Sequence, residues 1–91
     1  GIMKNVSVFP VPSKNVVYLQ YNFPVDGNLH YELMDIAGRI ITQKDVHVMS
    51  GSNRQEISLE NLTNASYKLH LTHSGNDNIS TAASFKLEKI N

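Results

Sequence analysis

The chain has no cysteine and no tryptophan. Without cysteine there can be no disulfide framework and no thiolate metal site. That absence suits a reducing cytosol, and it suits equally a bacterial exported protein that folds without disulfides. An excess of one charge is also missing. Eight basic and eight acidic residues give a formal net charge of zero, whereas a partner such as nucleic acid or anionic lipid calls for a basic surplus. No apolar run approaches the ~20 residues of a membrane-spanning helix, and no signal peptide opens the sequence. Gly1 ahead of Ile2 reads as the remnant of a cleaved tag, which leaves room for a removed signal peptide or a larger removed upstream region.

What is present is apolar material for a core. Hydrophobic residues make up 41% of the chain and recur along its whole length, which argues against disorder. Ninety-one residues predict one domain, 1–91, with a thin stability margin.

The dominant spacing is two, the signature of strands. "NVSVF" places Val6 and Val8 on one side, and the proline-containing "VPSKN" interrupts it. "VVYLQYNF" puts Val17, Leu19 and Tyr21 on one face. "PVDGN" is a turn by composition, centred on Asp26 and Gly27. "LHYELMD" then directs Leu29, Tyr31 and Leu33 inward, with His30 and Glu32 outward. In Asp35-Ile36-Ala37-Gly38 the carboxylate can accept from backbone N–H groups two or three residues on, and Gly38 can take the left-handed conformation that closes a hairpin. After it the alternation falters, and a bulge or change of sheet is expected near Lys44 and Asp45. "MSGSN" reads as a flexible loop. "RQEISLENL" sends Ile57 and Leu59 inward, with Leu62 just after the strand. "NASYKLHLT" lines up Tyr67, Leu69 and Leu71, "HSGNDN" reads as a hairpin loop, and the closing strand turns Phe85 and Leu87 inward.

No segment has a useful helical period. Seven short strands with turn signals every 8–12 residues predict an all-β fold, an immunoglobulin-like antiparallel sandwich. Tyr67, near the start of the penultimate strand, sits where such domains carry a tyrosine corner, and Leu69 stands where antibody domains have a cysteine. A prealbumin-like or other Greek-key sandwich would give almost the same pattern.

Chemistry-bearing groups are sparse. His70 and His73 lie three apart on a strand, so they face opposite ways and do not chelate. His30 and His70 become neighbours only if their strands pair, and a metal would need further ligands. The four histidines are therefore read as solvated surface groups. No nucleophile elbow is present, and a sandwich this small has little material for a deep cleft, so no catalysis is expected. Tyr31 and Tyr67 are read as core and Tyr18 as outward, and one exposed aromatic makes no sugar-stacking platform. Asn5, Asn61, Asn64 and Asn78 each open an N-x-[ST] sequon, which the abundance of Asn and Ser accounts for. There is no glycine-rich phosphate loop and no basic–aromatic patch, and no cofactor is expected.

Four stretches in order, "VSVFPVPSKNVVYLQ", "YELMDIAGRII", "ISLENLTNASYKLHLTHSG" and "FKLEKI", carry a resemblance. Together they look like the type A C-terminal sorting domain of type IX secretion substrates, bacterial proteins exported through the outer membrane. Small stand-alone secreted proteins of related bacteria, of the same sandwich type, are also similar. Pro10 and Pro12 stand at the family's opening motif, with Val11 in place of its usual asparagine. Asp35, Gly38 and Arg39 stand at its D-x-x-G-[RK] hairpin. Leu62, Tyr67 and Leu69 match its L-x-x-G-x-Y-x-L strand start, where Ala65 replaces the glycine. Lys86 and Lys89 match its basic final strand. The resemblance implies a non-catalytic module, exported to the periplasm or cell surface and recognised by secretion or cell-surface machinery proteins. Lys86 and Lys89 would then be docking candidates. The alternatives are a stand-alone interaction module or a carbohydrate-binding accessory module.

Overall fold

The computed structural model describes residues 5–91. Seven strands follow one another: β1 (Val6–Phe9), β2 (Val16–Phe23), β3 (Gly27–Asp35), β4 (Ile40–Val48), β5 (Gly51–Ser58), β6 (Ala65–Gly75) and β7 (Ser80–Lys89). They form a three-stranded sheet, β1-β2-β5, and a four-stranded sheet, β4-β3-β6-β7. All the strand pairings are antiparallel. The expected all-β sandwich is what the chain builds.

Two-residue alternation is what makes these strands amphipathic, and one face of each lies in the core. Val17, Leu19, Tyr21 and Phe23 from β2 meet Leu29, Tyr31 and Leu33 from β3, and Tyr67, Leu69 and Leu71 from β6. Val48, Ile57, Leu59 and Leu87 complete the interior, while Val6, Val8, Leu62 and Phe85 are among the half-buried residues that pack against it. The Tyr67 hydroxyl donates to the Thr63 carbonyl at 2.7 Å, which is the tyrosine corner expected of the immunoglobulin-like sandwich.

Four connections differ from the sequence expectation. The irregularity in β4 lies at its start, where the β3–β4 register shifts between Leu33 and Met34 and leaves Ile41 without an opposite residue. Lys44 and Asp45 pair regularly with Tyr31 and His30, and the change of sheet comes later, at Met49 and Ser50. The stretch read as a flexible loop is mostly strand, since β5 starts at Gly51. Likewise β6 runs on through His73, Ser74 and Gly75, so the hairpin turn is Asn76–Ile79. Gly27 belongs to β3 rather than to the preceding turn. A Cβ there would stand 2.3 Å from the Ser74 carbonyl oxygen, so the close approach of β3 and β6 requires glycine.

The opening segment joins the two sheets. β1 pairs with β2 as far as Phe9. The prolines at 10 and 12, which have no N–H for a ladder, carry the chain across to the other sheet. There Ser13 makes a parallel bridge to Lys89. Its N–H donates to the Glu88 carbonyl at 2.9 Å, and its carbonyl accepts from the Ile90 N–H at 2.9 Å.

Candidate functional site

The residues singled out in the sequence gather at one end of the four-stranded sheet. The register explains why. Asp35, the last residue of β3, pairs with Tyr67 near the start of β6, and Ala65 pairs with Lys89 at the end of β7. The β3–β4 turn, the start of β6 and the end of β7 are therefore neighbours. The bridge at Ser13 brings the Pro10–Pro12 segment to the same end.

The turn itself is held by Asp35. Its Oδ1 accepts from the N–H groups of Ala37 at 3.0 Å and Arg39 at 2.9 Å. Its Oδ2 accepts from Arg39 Nε at 3.0 Å. The Gly38 N–H goes to the Asp35 carbonyl at 3.0 Å. The carboxylate thus reaches residues two and four on, while the third is bound by the main chain. The Arg39 backbone N–H, followed by the Arg39 side chain and the Ala37 N–H, holds the Asp35 carboxyl below its ordinary range. Gly38 has a φ of +87°, a conformation that disfavours any residue with a Cβ. Ile36, at the tip, is 85% exposed.

Two shallow hollows flank this tip. One, of about 490 Å³, is lined by Met34, Ile36, Lys68, Ser84 and Lys86, among others. The other, of about 300 Å³, lies against Arg39, Leu62, Ala65 and Tyr67. The two lysines that the sequence offers as docking candidates fare differently. Lys86 is exposed, with Glu88 Oε1 at 3.7 Å. Lys89 is only 6% exposed, and its ammonium donates to the Lys14 carbonyl. It fastens the end of β7 to the opening segment and offers a partner nothing. Leu69 is fully buried and Leu62 partly so, and both serve the core.

The histidines divide as the strand parity demands. His70 faces out and bonds Ser84 Oγ at 2.8 Å. His30, diagonal to it, lies between Glu32 at 3.2 Å and Asp45 at 3.0 Å. Those bonds, Glu32 first, raise its pKa. Asp45 is held below its ordinary range by the Asn28 amide and then by His30. His73 is not the solvated group the sequence suggested. It is 3% exposed and stacks on Phe23 at 3.9 Å, which in turn stacks on Tyr21 at 4.7 Å. Its Nε2 has no hydrogen-bond partner, and burial lowers its pKa. Among the described residues no group of three or more His, Cys, Asp or Glu side chains could hold a metal ion.

On the outside of the three-stranded sheet, Phe9 and Tyr18 lie 5.9 Å apart. The Arg54 guanidinium sits 4.3 Å from the Tyr18 ring centre and 5.4 Å from that of Phe9. It therefore occupies a ring face on which a sugar would have to stack.

The family model for the secretion system C-terminal sorting domain matches residues 7–83. The chain belongs to this family. The match takes in the opening segment, the Asp35 turn and the start of β6, and it stops before Phe85. Membership of this type IX secretion family implies export toward the cell surface and contact with secretion machinery. A search of curated proteins finds no match. No helix among the described residues is long and apolar enough to cross a membrane.

Sequence reasoning did not single out Ser13, Ile36 or Lys68. Each draws its significance from register and from connections between strands far apart in the chain, which residue spacing does not carry.

Proposed function

We propose that this sorting domain is non-catalytic and directs both the export and the cell-surface attachment of a larger protein that carries it. The observation that supports this reading is the family match over residues 7–83. The convergence of the family-motif positions at one end of the four-stranded sheet agrees with it. Recognition then falls on folded surface. The exposed features at that end include the Asp35–Arg39 turn, the apolar tip at Ile36 and the side chain of Lys86.

The edge of β7 is a second candidate for contact. Glu88 and Ile90 turn backbone groups away from β6 toward Ser13. By alternation Ala82, Ser84 and Lys86 direct theirs the same way, and no strand of this chain pairs there among the described residues. An incoming strand could add along these residues, as in β-augmentation, until Ser13 blocks it.

The test is a reporter carrying these residues at its C-terminus, expressed with a periplasmic leader in a bacterium that has type IX secretion. The expected result is reporter on the outside of the cell, lost in a strain lacking the secretion machinery. A folded fusion retained in the periplasm of the competent strain overturns the proposal. Truncation at Phe85 is a poor substitute, because it also removes Leu87 from the core.

A further inference from the structure

We propose that the hollow beside the β3–β4 turn receives an acidic segment of a partner protein that also carries an apolar side chain. The proposal rests on the sorting reading for its biological setting and on the geometry of the hollow for its chemistry.

Register places Ile40, Met34, Lys68 and Lys86 in one row across β4, β3, β6 and β7. Half of the row is apolar and half cationic. Lys68 and Lys86 are directly opposite each other on adjacent strands, an arrangement that destabilises a sheet. The nearby carboxylates do not neutralise both. Asp35 is committed to its own turn and to Arg39. Glu88 accepts the Ser66 hydroxyl at 2.8 Å and reaches Lys86 at 3.7 Å. Lys68 is exposed and has no carboxylate within ion-pair distance among the described residues.

A chain of zero net charge thus carries an uncompensated positive spot, and the charge complementarity calls for an acidic occupant. The apolar half decides the rest. Met34 and the exposed Ile36 form the other wall of the hollow, which favours a peptide over a bare phosphate or an acidic polysaccharide. Ile40 to Lys86 spans three interstrand spacings, roughly 14 Å, which about four residues of extended chain cover. Acidic and apolar side chains about four positions apart would therefore reach both halves.

The experiment is an NMR titration of the isotope-labelled chain. The probe is an end-blocked hexapeptide of two glutamates, two serines, a leucine and an isoleucine, and the control replaces the glutamates by lysines. The expected result is movement of the amide signals of Ile36, Lys68 and Lys86 with the acidic peptide only. The double variant K68E/K86E, both positions being exposed, should keep its dispersed spectrum and bind at least about tenfold more weakly. Equal shifts from both peptides overturn the proposal, as does unchanged affinity in the variant. So does an inert acidic peptide, including the case in which phosphatidylglycerol vesicles or inorganic phosphate shift those signals instead. The titration needs no secretion, so its failure leaves the reporter result standing, and retention of the reporter leaves the titration standing.

Discussion

At the scale of single residues, two positions carry backbone or burial demands that no neighbour can supply. Gly38 at φ +87° has open space around it, so a larger side chain there meets no clash and only the backbone strain remains. Gly38→Val should lower the unfolding free energy by ~1–2 kcal/mol, read from urea denaturation. An unchanged midpoint would mean the turn tolerates a Cβ. His73 sets a pH dependence of definite sign. Above about pH 6.5 its imidazole is neutral folded or unfolded, and it contributes no slope. Below that, the unfolded chain takes up a proton more readily than the buried ring does, so stability falls on acidification. His30 acts the other way, because its raised pKa adds stability below pH 6.5 that is lost as the pH rises through the folded value. Asp35 and Asp45 act lower still: their stabilisation is lost as the pH falls below the ordinary aspartate range and through their lowered folded values. His73→Phe should therefore flatten the decline from pH 6.5 downward relative to the parent chain. Superimposable stability–pH curves for the two would refute this account of His73.

At the scale of elements, the edges behave differently from the centre, and so did their legibility. Leu29, Tyr31 and Leu33 alternate with polar residues because β3 is flanked by strands and covered on one face, and the sequence shows it plainly. β4 has no such pattern. Ile40 through Asp45 are all exposed, on the strand at one edge of the four-stranded sheet. With little burial along Ile40–Asp45, nothing in the sequence there marks inside from outside, and the bulge lies opposite Leu33 and Met34 rather than near Lys44 and Asp45. The end of β7 departs from its sequence pattern for another reason. A lysine on a final strand looks available, but the Lys89 ammonium is satisfied by a main-chain oxygen 75 positions away. Ser13 secures the same edge. Ser13→Pro removes the N–H that meets Glu88 and should cost ~1–3 kcal/mol, measured as a lowered urea midpoint. No loss of stability would show that the bridge contributes little to the fold.

At the scale of the whole molecule, the sequence carried the architecture further than the site. Strand parity was enough for a sandwich, because burial of one face dictates residue type every second position. The site depends on which strand ends lie side by side, and that follows from register across β3, β6 and β7. The motifs at 10–12, 35–39, 62–69 and 86–89 are separate patterns in the chain and one region in space. Surface display of the reporter addresses this scale. It asks whether the domain as a unit is sufficient for export, whichever of its exposed features makes contact.

The bridge between Ser13 and the end of β7 also bears on timing. A chain threaded through a pore from its amino end would leave the Ser13 backbone groups unpaired until residues 88 to 90 emerged. Closure of the sandwich would then report that passage had reached its last strand, and the machinery would meet the finished surface only after the rest of the domain had come through.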